Sequence, residues 1–193
     1  MTRYFELLDD VTVPGRWHLG FATLPDGSEP CLDAGIRLDS AERPIIPVTD
    51  PGCVLDFSLT SFGVPVATKA LADAVSRVAS TDVQCVPVEI NGQAGMVVLN
   101  AVRVIECVDE ARSEFIKWTA QDHRADLAGQ YRQVTRLVLD SAAIPSDAQF
   151  FRIEGWLVAL IVSDAVKDAM ERAGCTGAKF IALECDAPSP RSP

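Results

Sequence analysis

Histidine is nearly missing from this chain, which holds only His18 and His123 in 193 residues. None of the six cysteines (31, 53, 85, 107, 175 and 185) stands in a CxxC pair, and the acidic stretch at 107–124 contains no HxxxH, HxH or DxD spacing. A metal centre therefore has no ligand pattern to rest on, and neither a metal nor another cofactor is expected. Long apolar runs are absent too, which excludes a helix long enough to cross a bilayer. The first residues, MTRYFELLDD, lack the basic and apolar regions of a secretory signal, so a cytoplasmic address and reduced thiols are expected. Basic residues are outnumbered, 17 against 27 acidic ones, giving a net charge of −10 and a pI near 4.6. Without a basic patch or helix, binding to nucleic acid phosphates or anionic membranes is disfavoured. An acidic surface keeps a protein soluble, and it steers association with basic proteins.

What is present is fold grammar. Residues 3–8 read as an opening strand, and Trp17 to Phe21 as a second one with both aromatics turned inward and His18 partly buried. Residues 25–52 carry five of the twelve prolines with little periodicity, as a long irregular segment over the surface would. Thr68 is placed to cap a helix in which Leu71, Ala74, Val75 and Val78 recur at helical spacing, with Asp73 and Arg77 set for an i, i+4 pair. Residues 83–90 then alternate, with Val86, Val88 and Ile90 on one face, and Asn91-Gly92 signals a hairpin into a return strand over 95–105. Asn100 and Arg103 interrupt that strand and need partners if buried. Cys85 and Cys107 fall inside apolar strand patterns and are expected to behave as small buried hydrophobes. Residues 130–140 alternate as a strand, 150–162 read as a central strand broken by Gly155, and Ser163 caps a second helix ended by Gly174. Residues 179–185 make the last strand, and the tail 186–193 is expected to be disordered.

The two helices echo one another. Residues 66–88 align without a gap on 161–183, so that Thr68 meets Ser163 as the cap and Val75 meets Met170. Ala70, Asp73, Ala74, Arg77 and Thr81 meet identical residues at 165, 168, 169, 172 and 176. These units should occupy related positions in one sheet-and-helix layer. The expected fold is α+β: mixed, mainly antiparallel sheet with a few packing helices and two related helix–strand units. A single domain over 1–185 is expected, with 1–54 a subregion of strands and loops.

The segment 107–124, CVDEARSEFIKWTAQDHR, reads as a charged loop with aromatic anchors. Asp109, Glu110, Glu114, Phe115, Trp118 and Asp122 form the candidate partner-binding set, since an acidic surface with aromatic anchors suits a protein interface.

Several segments together resemble a known family. DFSLTSFGVPV (56–66), the run from Asp82 to Phe115, GQYRQVTRLVLD (129–140) and the run from Phe151 to Phe180 look like immunity proteins of bacterial polymorphic toxin systems, a family first described as a domain of unknown function and typified by a myxobacterial member. The resemblance implies a cytoplasmic, non-catalytic protein that binds and neutralises a cognate toxin encoded beside it. The matching polar positions include Asp56, Arg103, Asp109, Glu110, Ser113, Glu114, Arg132, Arg152 and Trp156. A structural role is favoured for the three arginines, which fall within strands. The resemblance carries over no catalytic residues. Two further readings stand beside it: a regulatory or scaffolding module with the same binding chemistry, and a cysteine-dependent or acid/base hydrolase resting on the thiols with His18 and His123. Self-association is left open.

Overall fold

The computed structural model describes residues 2–32, 34–39 and 43–185, so the tail at 186–193 lies outside the described residues. In chain order the elements are strands β1 (Tyr4–Asp9), β2 (His18–Leu19), β3 (Ile45–Ile46), β4 (Val48–Asp50), β5 (Phe57–Leu59) and β6 (Pro65–Thr68), then helix α1 (Lys69–Ala79). Strands β7 (Val83–Pro87), β8 (Glu89–Ile90), β9 (Met96–Ala101), β10 (Val104–Ile105), β11 (Glu114–Lys117), β12 (Tyr131–Arg136), β13 (Val138–Leu139), β14 (Phe150–Ile153) and β15 (Trp156–Ser163) follow. Helix α2 (Asp164–Arg172) and strands β16 (Ala178–Ala182) and β17 (Glu184–Cys185) close the order. The fold is α+β, with two helices against several mainly antiparallel sheets.

Two sheets carry the architecture, and they share one plan. The first runs β5-β6-β9-β7 and the second β10-β14-β15-β1-β16. In the first, α1 joins β6 to β7 while β9 lies between them, antiparallel to both. In the second, α2 joins β15 to β16 while β1 lies between them, again antiparallel to both. Each unit is preceded by an antiparallel partner strand, β5 on β6 and β14 on β15. The sequence echo is therefore architectural, and it places the units at related positions in two sheets rather than in one. The caps form as read: the Thr68 hydroxyl accepts the Leu71 N–H at 3.4 Å and that of Ser163 accepts the Val166 N–H at 3.2 Å. Each such cap contributes about 1 kcal/mol to its helix.

Strands buried on both faces explain the dense apolar runs. Val97, Leu99 and Ala101 of β9 turn toward the helices, with Leu160 and Val162 of β15, into a core completed by Leu71, Val75, Val166 and Met170. The alternate residues Met96 and Val98 meet a second core built with Trp17, Leu19, Leu32 and Ile46. Ala159 and Ile161 meet a third, built with Cys107, Leu139 and Ile144. Irregular chain thus covers the outer face of each sheet, the early segment over the first and the segment after β10 over the second.

Several local expectations are corrected by this packing. Gly155 does not break one strand. It takes a φ of 73° in the turn that joins β14 and β15 into a hairpin. The run 95–105 divides into β9 and β10, which belong to different sheets. Asp73 pairs with Lys69 at 3.1 Å rather than with Arg77. His18 is exposed because Trp17 and Leu19 occupy the inner face of its strand, and Phe21, expected inside, is 47% exposed beyond the strand's end. Cys85 is exposed at the margin of the outermost strand, its sulfur 3.1 Å from the Ser76 hydroxyl, whereas Cys107 is buried as expected. Asn100 is fully buried and donates to Ile36 O at 2.8 Å and to Gln84 Oε1 at 3.1 Å, tying the irregular segment to the first sheet.

Candidate functional site

The stretch read as a charged loop at 107–124 contains a strand. Residues Glu114–Lys117 form β11, which pairs antiparallel with β12 in a two-stranded arm separate from both main sheets. Four residues with a charge at each end and no turn dipeptide give little local strand signal. The pairing comes instead from anchors at the base of the arm. Asp109 Oδ1 accepts the N–H groups of Ala111 at 3.1 Å and Arg112 at 3.2 Å, turning the chain. Ser113 then clamps Val138, donating to its carbonyl at 3.2 Å and accepting its N–H at 3.0 Å. The arm is held to the second sheet where Tyr131 N–H donates to Gly155 O at 2.9 Å.

Two side-chain groups decorate the arm. In the first, the Tyr131 hydroxyl donates to Glu110 Oε1 at 2.7 Å, and Lys117 Nζ reaches the same oxygen at 2.5 Å. Phe115 packs edge-on against Tyr131 with ring centroids 5.1 Å apart, and Lys117 Nζ sits 4.8 Å from the Tyr131 ring centre. The Lys117 and Tyr131 hydrogen bonds, in that order, hold the Glu110 carboxyl below its ordinary pKa, while burial and then the Glu110 contact push the Tyr131 phenol up. In the second group, the Arg132 guanidinium lies 5.0 Å over Trp118, whose ring meets His123 edge-on at 5.3 Å. Asp122 accepts Thr119 N–H at 2.7 Å and the Thr119 hydroxyl at 2.8 Å, and its other oxygen lies 3.5 Å from Arg132. Those Thr119 bonds lower the pKa of Asp122.

The six expected partner-binding residues thus divide. Glu110 and Phe115 converge on Tyr131, and Trp118 and Asp122 converge on Arg132. Glu114 is exposed opposite Arg136 on the cross-strand register, and Asp109 is occupied with backbone N–H groups. Among the arginines, Arg152 is fully buried and donates to the Leu157 and Gly63 carbonyls, and Arg103 bridges Asp82 and Asp147. Arg132 departs from the structural reading, because it is a surface residue of the arm with its side chain 49% exposed. Asp56 acts as a latch, accepting the Thr176 N–H at 3.1 Å and hydroxyl at 2.7 Å.

Beside the arm lies an open cleft of about 550 Å³ lined by Glu106, Glu110, Lys117, Tyr131, Glu154 and Leu157, among others. Sequence reasoning missed Lys117, Tyr131, Glu106 and Glu154, since nothing local brings 106, 131 and 154 together. The carboxylates of Glu106 and Glu154 have no ion-pair partner among the described residues, so the cleft carries an uncompensated negative charge. Its lining offers carboxylates to a cation, and the Tyr131 ring and Leu157 to an apolar group. Burial pushes the Cys107 and Cys175 thiols up to about 12, away from nucleophilic character. Among the described residues, no hydrogen bond joins either histidine to a thiol, and no three His, Cys, Asp or Glu side chains are grouped as metal ligands. No helix among them is long and apolar enough to cross a membrane.

The pattern of the immunity protein family Imm11 matches residues 47–184, a span that includes both strand–helix–strand units, the arm and most of the cleft lining. The chain belongs to the Imm11 immunity protein family. Strands β1, β2 and β3 precede the Imm11 match, so the strand between β15 and β16 comes from outside it. No curated protein matches the chain.

Proposed function

We propose that this Imm11 protein is a non-catalytic, cytoplasmic immunity protein that binds and neutralises a cognate toxin encoded beside it. Family membership carries the reading. The arm and the acidic cleft are its proposed contact surface. Glu106, Glu110 and Glu154 supply carboxylates for a basic segment of the toxin, and Phe115 and Trp118 supply rigid aromatic area, the residue type that concentrates binding energy at interfaces. Glu114 and Asp122 extend the negative rim, and Asp109 shapes the loop beneath it. Charge complementarity of this kind raises association rates and sets partner choice more than it sets total affinity. The test is co-expression with the adjacent toxin gene, followed by co-purification. A stable complex and restored growth are expected, with Trp118→Ala and Glu110→Ala weakening both. Failure of the wild-type chain to bind the toxin or to restore growth defeats the proposal.

A further inference from the structure

Three of the large exposed apolar side chains come from distant parts of the chain and meet at one place. Phe21 follows β2, Phe62 sits in the β5–β6 turn and Val158 lies on β15, with exposures of 47%, 69% and 63%. The two phenylalanine rings stand 4.3 Å apart, and with Pro30 and Leu32 they line a cleft of about 290 Å³. Single exposed apolar residues are ordinary, but a contiguous aromatic cluster around a concavity is a mark of an interaction site. The volume lies just below the range of pockets that bury drug-sized ligands, and it suits one or two inserted side chains.

Glu29 is the only charged residue lining the cleft among those described, and its carboxylate has no ion-pair partner among them. This charge selects the occupant. A two-fold dimer through this patch would bring two Glu29 carboxylates into one interface with no basic lining residue to pair with them, between two chains of net charge −10 each. A partner with an apolar anchor flanked by lysine or arginine instead gains from both features. The two clefts draw on nearby positions in the chain: Leu157 lines the acidic one and Val158 this one, and Ala34 lines the acidic one while Pro30 and Leu32 line this one.

We infer that the Phe21–Phe62–Val158 cleft is a second anchor point for the toxin, taking an apolar side chain next to a basic residue. The inference rests on the proposed immunity function and adds a contact that neither the family match nor the acidic arm implies. The probe is a catalytically inactivated form of the toxin domain encoded beside this gene, titrated calorimetrically into the purified full chain. Phe62→Ala is expected to weaken binding by about 30-fold, the loss typical of a central interface anchor, with melting temperature unchanged. Phe62→Leu should stay within about fivefold of wild type, and Glu29→Gln should weaken binding a few-fold and flatten its salt dependence. If Phe21→Ala and Phe62→Ala both bind within about twofold of wild type while Trp118→Ala does not, the inference falls and the immunity reading stands. If the wild-type chain forms no complex, both fall. If sedimentation reveals a dimer that Phe62→Ala dissociates, the cleft belongs to a second copy and the inference is overturned.

Discussion

Asp82 and Gln149 meet across the junction of the two sheets, the fully buried carboxylate accepting the Gln149 N–H at 2.6 Å. Asp82 follows α1 in the first unit, and Gln149 immediately precedes β14 of the second. The reciprocal contact exists as well: Thr176, which follows α2, bonds to Asp56, which immediately precedes β5 of the first unit. Each post-helix loop therefore latches the leading strand of the other unit.

The Asp82 latch is costly to lose. Its carboxylate also accepts Phe150 N–H at 3.3 Å and pairs with Arg103 Nε at 3.0 Å, so Asp82→Ala strands two backbone donors and part of a guanidinium. A loss of roughly 3–5 kcal/mol is expected from urea unfolding. Asp147→Ala removes the exposed, solvent-screened partner of the same arginine and should cost far less than Asp82→Ala in the same unfolding measurement.

Two glycines past α2 separate backbone strain from collision. Gly174 has a φ of +72° with open space around it, so Gly174→Ala should cost about 1–2 kcal/mol, the penalty for a left-handed residue. Gly177 has a φ of +88°, and a Cβ there would strike the Phe57 carbonyl oxygen and lie 2.9 Å from Leu55. Gly177→Ala should therefore cost clearly more, and thermal melts of the two variants side by side make the comparison.

Acid acts on two carboxyls in opposite senses. Burial in the interior strand β1 raises the pKa of Glu6, so the folded state binds its proton more readily than the unfolded state does. Its charged form costs stability at neutral pH, and that cost disappears as pH falls to the unfolded value. Glu6→Gln should stabilise the protein at pH 7 and change little near pH 4. Glu110 has a lowered pKa, so its contribution is present above the unfolded value and is lost as pH falls through the folded one. The hydrogen bonds it accepts from Tyr131 and Lys117 should persist at pH 5 and open in stronger acid, visible as a shift of the Tyr131 ring resonances.

Thiol accessibility gives an independent check on packing. Cys31, Cys53 and Cys85 are exposed and should react promptly with iodoacetamide at pH 8, while Cys107, buried and pushed up to about 12, should label only on unfolding. Peptide mass mapping reads the result, and rapid Cys107 labelling in the folded protein would contradict the third core.

Much of the framework was legible because it is encoded within ten residues at a time. The caps at Thr68 and Ser163, the inward faces of both helices and the repeated strand–helix–strand order all follow from short-range spacing. The proposed contact surface was only half legible. The aromatics of 107–124 stood out in the sequence, but Phe115 packs against Tyr131, sixteen positions away, and Trp118 lies under Arg132. The outward turn of Phe21 and Cys85 was illegible, because alternation tells which residues share a face and not where the covering layer ends.

By itself the sequence determined the local elements, the repeat and the acidic balance, since backbone hydrogen bonding and amphipathic period act between near neighbours. Only the tertiary structure decided that β1 enters the second sheet beside strands more than 150 residues away, that β11 and β12 stand out as an arm, and that Phe21, Phe62 and Val158 share one cleft. Those outcomes depend on which surfaces pack once the elements exist, and that choice is made by burial and pairing across the whole chain.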